Sequence, residues 1–77
     1  MKQAMQIQLR ILECGFFIHR AEDIKGGERF HLGIGAVITV YDNGTVMVQG
    51  HIKPKYKESS TKTLKRILPK TTLWHDQ

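Results

Sequence analysis

A chain of 77 residues makes one small domain with a thin core, and its 40% hydrophobic and 25% charged content excludes wholesale disorder. Cys14 is the single cysteine, which excludes an internal disulfide, and no apolar run approaches the roughly 20 residues that cross a bilayer. The net charge of +5 sits at one end: residues 1–50 balance five basic against five acidic side chains, whereas residues 51–77 carry seven basic against two acidic.

That asymmetry points to a polyanionic partner or an acidic protein surface. A thin core without a disulfide predicts a cytoplasmic module that gains stability from a partner or as a homodimer. Gln6, Gln8, Arg10 and Glu13 interrupt any signal-peptide core, so the chain reads as soluble and unexported, with no membrane partner.

The first segment supports two readings. Met5, Ile7, Leu9 and Ile11 alternate with polar residues as in a half-buried strand, while Met1, Met5, Leu9 and Leu12 follow helical spacing ahead of Gly15, a plausible C-cap. Residues 16–27 begin apolar at Phe16, Phe17 and Ile18 and then turn polar, ending in a Gly26-Gly27 breaker that predicts a loop. "ERFHLG", residues 28–33, is a short strand with Phe30 and Leu32 on one face, and "GIG" at 33–35 is a turn or bulge.

The clearest pattern is "ITVYDNGTVMVQG". Strands over 36–42 and 45–50 place Ala36, Ile38 and Val40 on one face and Val37, Thr39 and Tyr41 on the other, with Val46 and Val48 set apart from Met47 and Gln49. Asn43-Gly44 between them predicts a type I′ hairpin turn. Pro54 excludes a central strand over "HIKPKYKESS". Ser59 or Ser60 then caps a helix over 60–68, with Leu64, Ile67 and Leu68 as its apolar stripe and Pro69 as its stop. Leu73 and Trp74, in the tail over 71–77, are placed to fold back on the core.

No catalytic or metal-binding constellation emerges, and no cofactor is implied. His19, His31, His51 and His75 lack ligand spacing, and "KGGERFHLGIG" lacks the lysine-serine/threonine step and following helix of a phosphate loop. Cys14 has no basic neighbour and reads as a buried, inert thiol. The basic loop and helix over 51–70 differ in kind. Lys53, Lys55 and Lys57 alternate with Ile52, Pro54 and Tyr56, so an extended backbone would set their ammonium groups on one side to follow phosphates. Tyr56 adds a ring for stacking, Lys62, Lys65 and Arg66 continue the charge, and Ser59, Ser60, Thr61 and the amides at the helix start would complete a phosphate contact. Against this stands a solvated, lysine-bearing loop that protects a sheet edge.

Thr39, Tyr41, Gly44, Gln49 and Gly50 resemble the T-x-Y-x-x-G-x-x-x-x-Q-G signature of the N-terminal domain of bacterial ribonuclease HIII, and more loosely a TATA-binding-protein repeat. That family runs helix, antiparallel strands, Gln-Gly, helix, which favours a helix for the first segment. It implies a module that grips an RNA/DNA hybrid while a separate domain cuts. The catalytic domain of that family has no counterpart here, and the lysine-rich "HIKPKYKESS" departs from its pattern. "LRILECGFF…ITVYDNGTVMVQGH…TLKRIL" also resembles the helix, Gly-Phe, three strands, helix order of HicA-type mRNA interferases. Ala36 stands where their catalytic histidine would fall.

The expectation is therefore an α+β domain, α-β-β-β-α, with a three- to four-stranded antiparallel sheet around the Asn-Gly hairpin, like a TATA-binding-protein half or a double-stranded-RNA-binding domain. The expected function is non-catalytic binding of RNA or RNA/DNA hybrid through Lys53, Lys55, Tyr56, Lys57, Lys62, Lys65 and Arg66. The alternatives are a small inhibitor or antitoxin-like protein of phage or plasmid type that binds a nuclease, and a degenerate interferase.

Overall fold

A computed structural model describes residues 3–75. The chain runs α1 (Gln3–Glu13), β1 (Ile18–Ile24), β2 (Gly27–Leu32), β3 (Ala36–Tyr41), β4 (Val46–Gly50), α2 (Pro54–Ile67) and β5 (Leu73–Trp74). The strands form one sheet in the order β1-β2-β3-β4-β5, antiparallel throughout except for the parallel β4–β5 pair. The α+β class and the two flanking helices are as expected, and the sheet has five strands rather than three or four.

The first segment resolves as a helix because one helical face is fully used: Ala4, Ile7 and Ile11, at i, i+3 and i+7, are buried. They pack on a single sheet face made of Phe30, Leu32, Ala36, Ile38, Val40, Val46 and Val48, together with Leu64 and Leu68. The register stacks Phe30, Ile38 and Val48 side by side across β2, β3 and β4, so the expected strand faces are the observed ones. Arg10 donates from Nη1 to the Ile67 carbonyl at 3.3 Å, tying α1 to the end of α2. Cys14 lies beyond the buried stripe and is exposed, not buried.

The stretch 18–24 is a strand where a loop was expected. It escapes the usual alternation because it is an edge strand, and the pairs Ile18–Leu32 and Arg20–His31 bracket a bulge at His19 that shifts its phase. The β3–β4 turn also differs. Gly44 has φ +94° while Asn43 is not left-handed, and Gly44 N–H donates to the Tyr41 carbonyl at 3.0 Å. This is a three-residue loop, not a type I′ turn, and it is held by Asn43 Oδ1 accepting from Thr45 N–H at 3.0 Å.

The two glycines after β2 and at the end of β4 meet. Gly35 has φ +104°, and a Cβ there would lie 2.1 Å from the His51 carbonyl oxygen; a Cβ on Gly50, at φ +93°, would lie 2.6 Å from the Gly35 oxygen. No larger residue lets these backbones touch. From there Lys53 N–H donates to the Ile34 carbonyl at 3.0 Å, which fixes the chain as it enters α2.

Candidate nucleic-acid interface

α2 begins at Pro54, six residues before the expected start. Pro54 occupies the first helical position, where its fixed φ suits the helix and its missing N–H has no partner to lose. Lys53 is the N-cap, with no side-chain cap bond, and the Tyr56 amide donates to its carbonyl at 2.9 Å. Lys55, Tyr56 and Lys57 are therefore helical, and the extended comb of lysines does not form. Ser59, Ser60 and Thr61 lie inside α2, so their amides are committed to helix bonds and offer no anion site; Ser60 is itself buried.

The helix rearranges the same cations into a different display. Ser60 and Leu64 mark the buried side. On the opposite side Lys55, Lys62 and Arg66, at i, i+7 and i+11, fall within about 20° of one line parallel to the axis. All three are exposed. Lys57 and Lys65 turn toward β4 and β5, where they line a cavity of about 130 Å³ with Thr61, Gln49, Trp74 and His75. From Lys53 to Arg66 six cations stand against Glu58 alone, over a helix about 21 Å long.

Two aromatic rings sit among these charges. Lys55 Nζ is 5.5 Å from the Tyr56 ring centroid, and Lys65 Nζ is 5.5 Å from that of Trp74. Trp74 was placed in a tail by its sequence. The structure brings it beside α2 by pairing it with Val48 in a two-residue strand, too short for any periodic signal. Tyr56 remains accessible at 39%. The helix thus offers positive charge along one line and ring surface to either side of it.

A second polar group lies on the helix-free face of the sheet. Glu22 accepts from His31 at 2.9 Å and Arg20 at 3.0 Å, with Arg29 Nη1 at 3.8 Å. The His31 hydrogen bond and the neighbouring cations hold the Glu22 carboxyl below its ordinary value of 4.5, against a smaller opposing effect of burial. Arg29 also donates from Nε to the buried Thr39 Oγ1 at 3.3 Å. Among the described residues no group of three or more His, Cys, Asp or Glu side chains is arranged to hold a metal ion, and no helix is long and apolar enough to cross a membrane. Comparisons with models of protein families, with curated proteins and with solved structures find no match.

Proposed function

We propose that this chain is a non-catalytic nucleic-acid-binding module that grips a phosphate backbone through the exposed side of α2. The observation that carries the reading is the alignment of Lys55, Lys62 and Arg66 on one solvent-facing line, flanked by Lys53, Lys57 and Lys65 and opposed by a single acid. Such a line supplies sequence-independent affinity by neutralising phosphates and releasing their counterions. Tyr56 and Trp74 add stacking surface for an unpaired base at the margins of the helix.

The resemblance of the hairpin to the substrate-binding domain of ribonuclease HIII makes RNA and RNA/DNA hybrid the preferred ligands of this reading. The finer fold assignment belongs with it: helices on one sheet face, with the Thr-Tyr-Gly-Gln-Gly residues in the β3–β4 hairpin, support a TATA-binding-protein-like half. The test is a fluorescence-anisotropy titration of labelled RNA, DNA and hybrid at low and high salt. Binding that weakens steeply with salt is expected. No binding to any of the three, or an affinity indifferent to salt, refutes the proposal.

One observation favours the inhibitor reading as a second possibility. Met5, Leu9 and Leu12 form an exposed apolar stripe along α1, and Phe17 beyond it is 69% exposed. A stripe of this kind suits a protein partner. Stoichiometric co-purification of a nuclease, in place of bound nucleic acid, would select it.

A further inference from the structure

β1 ends the sheet on one side, and its sequence is I-H-R-A-E-D-I. A histidine and an arginine precede Ala21 and two acids follow it. We propose that β1 is a self-pairing edge, and that two copies of this chain join antiparallel through it about a two-fold axis at Ala21.

The backbone is set for this. Ile24 and Gly27 flank the two-residue turn at Lys25-Gly26 and so exchange their hydrogen bonds with each other. Polar groups alternate along an antiparallel pair, so Glu22 faces Arg29 in the same way, while the N–H and C=O of Ala21 and Asp23 point outward. Pairing about Ala21 sets its N–H against the Ala21 carbonyl of the other protomer, and the reverse. The methyl side chain is exposed and adds no bulk at the axis.

Charge selects the partner. An edge of one sign repels its own copy, which is how edge lysines guard against aggregation. Here an antiparallel copy brings Arg20 opposite Glu22 of the other protomer, twice by symmetry, and runs His19 alongside Asp23. Arg20 and Glu22 share a sheet face, as their 3.0 Å contact within one chain shows. The Arg20 side chain is 65% exposed and Glu22 28%, so the guanidinium can swing across to the second carboxylate without breaking the His31 contact. Opposite charges directly across a strand pair are stabilising and like charges are not. No third copy can be added by the same edge, because both copies of β1 are then used, and the far edge is the two-residue β5. The contact is isologous and closes as a dimer.

Antiparallel edge pairing puts the axis perpendicular to the sheet, so both helix layers stay on one side. α2 packs beside β4, the fourth strand from the edge, and the two copies of it would stand about seven strand spacings apart, about 34 Å along the sheet. That is close to one turn of duplex, the separation at which a dimer places two basic elements on the same side of a nucleic acid. This last step rests on the α2 reading; the strand pairing does not.

The test is sedimentation equilibrium of the full chain over concentrations from about 1 to about 500 µM, the range suited to an interface below standard size. A reversible monomer–dimer equilibrium is expected. Arg20→Glu sets acid against acid and should weaken dimerisation by about tenfold or more. Ala21→Pro removes the outward N–H at the axis and should abolish it, with circular dichroism confirming that the monomer remains folded. In a Cys14→Ser background, Ala21→Cys should cross-link as a dimer under mild oxidation and Lys25→Cys should not. A monomer at every concentration, a dimer that neither Arg20→Glu nor a folded Ala21→Pro affects, or equal cross-linking at positions 21 and 25 overturns the proposal. A monomer that still binds RNA in a salt-dependent way overturns the pairing and leaves the α2 reading standing.

Discussion

Neutralising the line Lys55, Lys62 and Arg66 together, as Lys55→Gln, Lys62→Gln and Arg66→Gln, changes the salt dependence of binding by an amount the helix geometry predicts. Eleven residues separate the first from the last, about 16 Å along the axis. Phosphates recur about every 3.4 Å of axis on each strand of a duplex, so all three cations can engage at once. With all six cations from Lys53 to Arg66 in contact, log K falls with log salt at a slope of about −5.4, and affinity drops about 10³-fold between 50 and 200 mM. Removing three contacts reduces the slope by about 2.7 and leaves a drop of only about 40-fold over the same range. On a single strand the change in slope is about 2.1. Anisotropy titrations at four or five salt concentrations measure it. Lys25→Gln, at the tip of the β1–β2 hairpin, is the matched control and should leave the slope alone. All three side chains are exposed, so the thermal unfolding midpoint should change little. A triple variant with the wild-type slope, or one that Lys25→Gln matches, refutes the assignment of phosphate contact to this side of α2.

Other measurements address the scaffold. Gly35→Ala meets both a left-handed backbone and the His51 carbonyl, and should cost at least about 2 kcal/mol in urea unfolding. Gly26→Ala, at φ +83° with nothing within 4 Å, should cost only about 1 kcal/mol, and equal losses at the two sites would contradict the close approach of Gly35 to its neighbours. Leu64→Ala, which empties a fully buried site under α2, should lose about 2–5 kcal/mol, whereas a loss below about 1 kcal/mol would mean that α2 is not docked there. Glu22 has a lowered folded pKa, so it contributes stability above its ordinary value of 4.5 that is lost as pH falls through the lowered value. The urea midpoint of Glu22→Gln should therefore lie below wild type at pH 6 and converge with it in stronger acid, and a gap unchanged by pH would show that the His31 and Arg20 contacts do not hold the carboxylate.

What could be read from residue order followed from how many faces of an element are covered. β3 and β4 lie between neighbours on both sides with one face under the helices, so their period-2 pattern is clean and the hairpin was legible from it. β1 has an uncovered outer edge and only its Ile18 packs against the core, and its bulge shifts the phase of what alternation it has, so a strand read as loop. In α1 the two competing patterns share residues. The period-2 set Met5, Ile7, Leu9, Ile11 splits between an exposed and a buried side, and only the subset Ile7 and Ile11, joined by Ala4, marks the real core face. The start of α2 was hidden because proline is both a strand breaker and a favoured first helical residue, and the chain is fixed at that point by the Lys53–Ile34 hydrogen bond, a contact across 19 residues that local sequence does not show. The lysines are close together in the sequence, but their alignment on one side needed the helix.

The residues shared with the ribonuclease HIII signature have local work to do in this chain. Gly44 turns the β3–β4 loop in a left-handed conformation. Gly50 carries no side chain because the Gly35 backbone occupies the space, and the Thr39 hydroxyl is buried against Arg29. Tyr41 and Gln49 are half-buried, Tyr41 at a position that alternates with the core residues of β3 and Gln49 beside the cavity that Lys57, Thr61 and Lys65 of α2 line. A signature built of such positions identifies a way of closing a hairpin over a packed helix layer, and any sequence that closes it so comes under the same constraints. The charge on α2 answers to none of them: Lys55, Lys62 and Arg66 are exposed, contribute nothing to the core cluster, and could each be glutamate without disturbing it. Their common sign and alignment are therefore the part of this molecule that packing does not require, which is why the nucleic-acid reading rests on the helix and not on the hairpin.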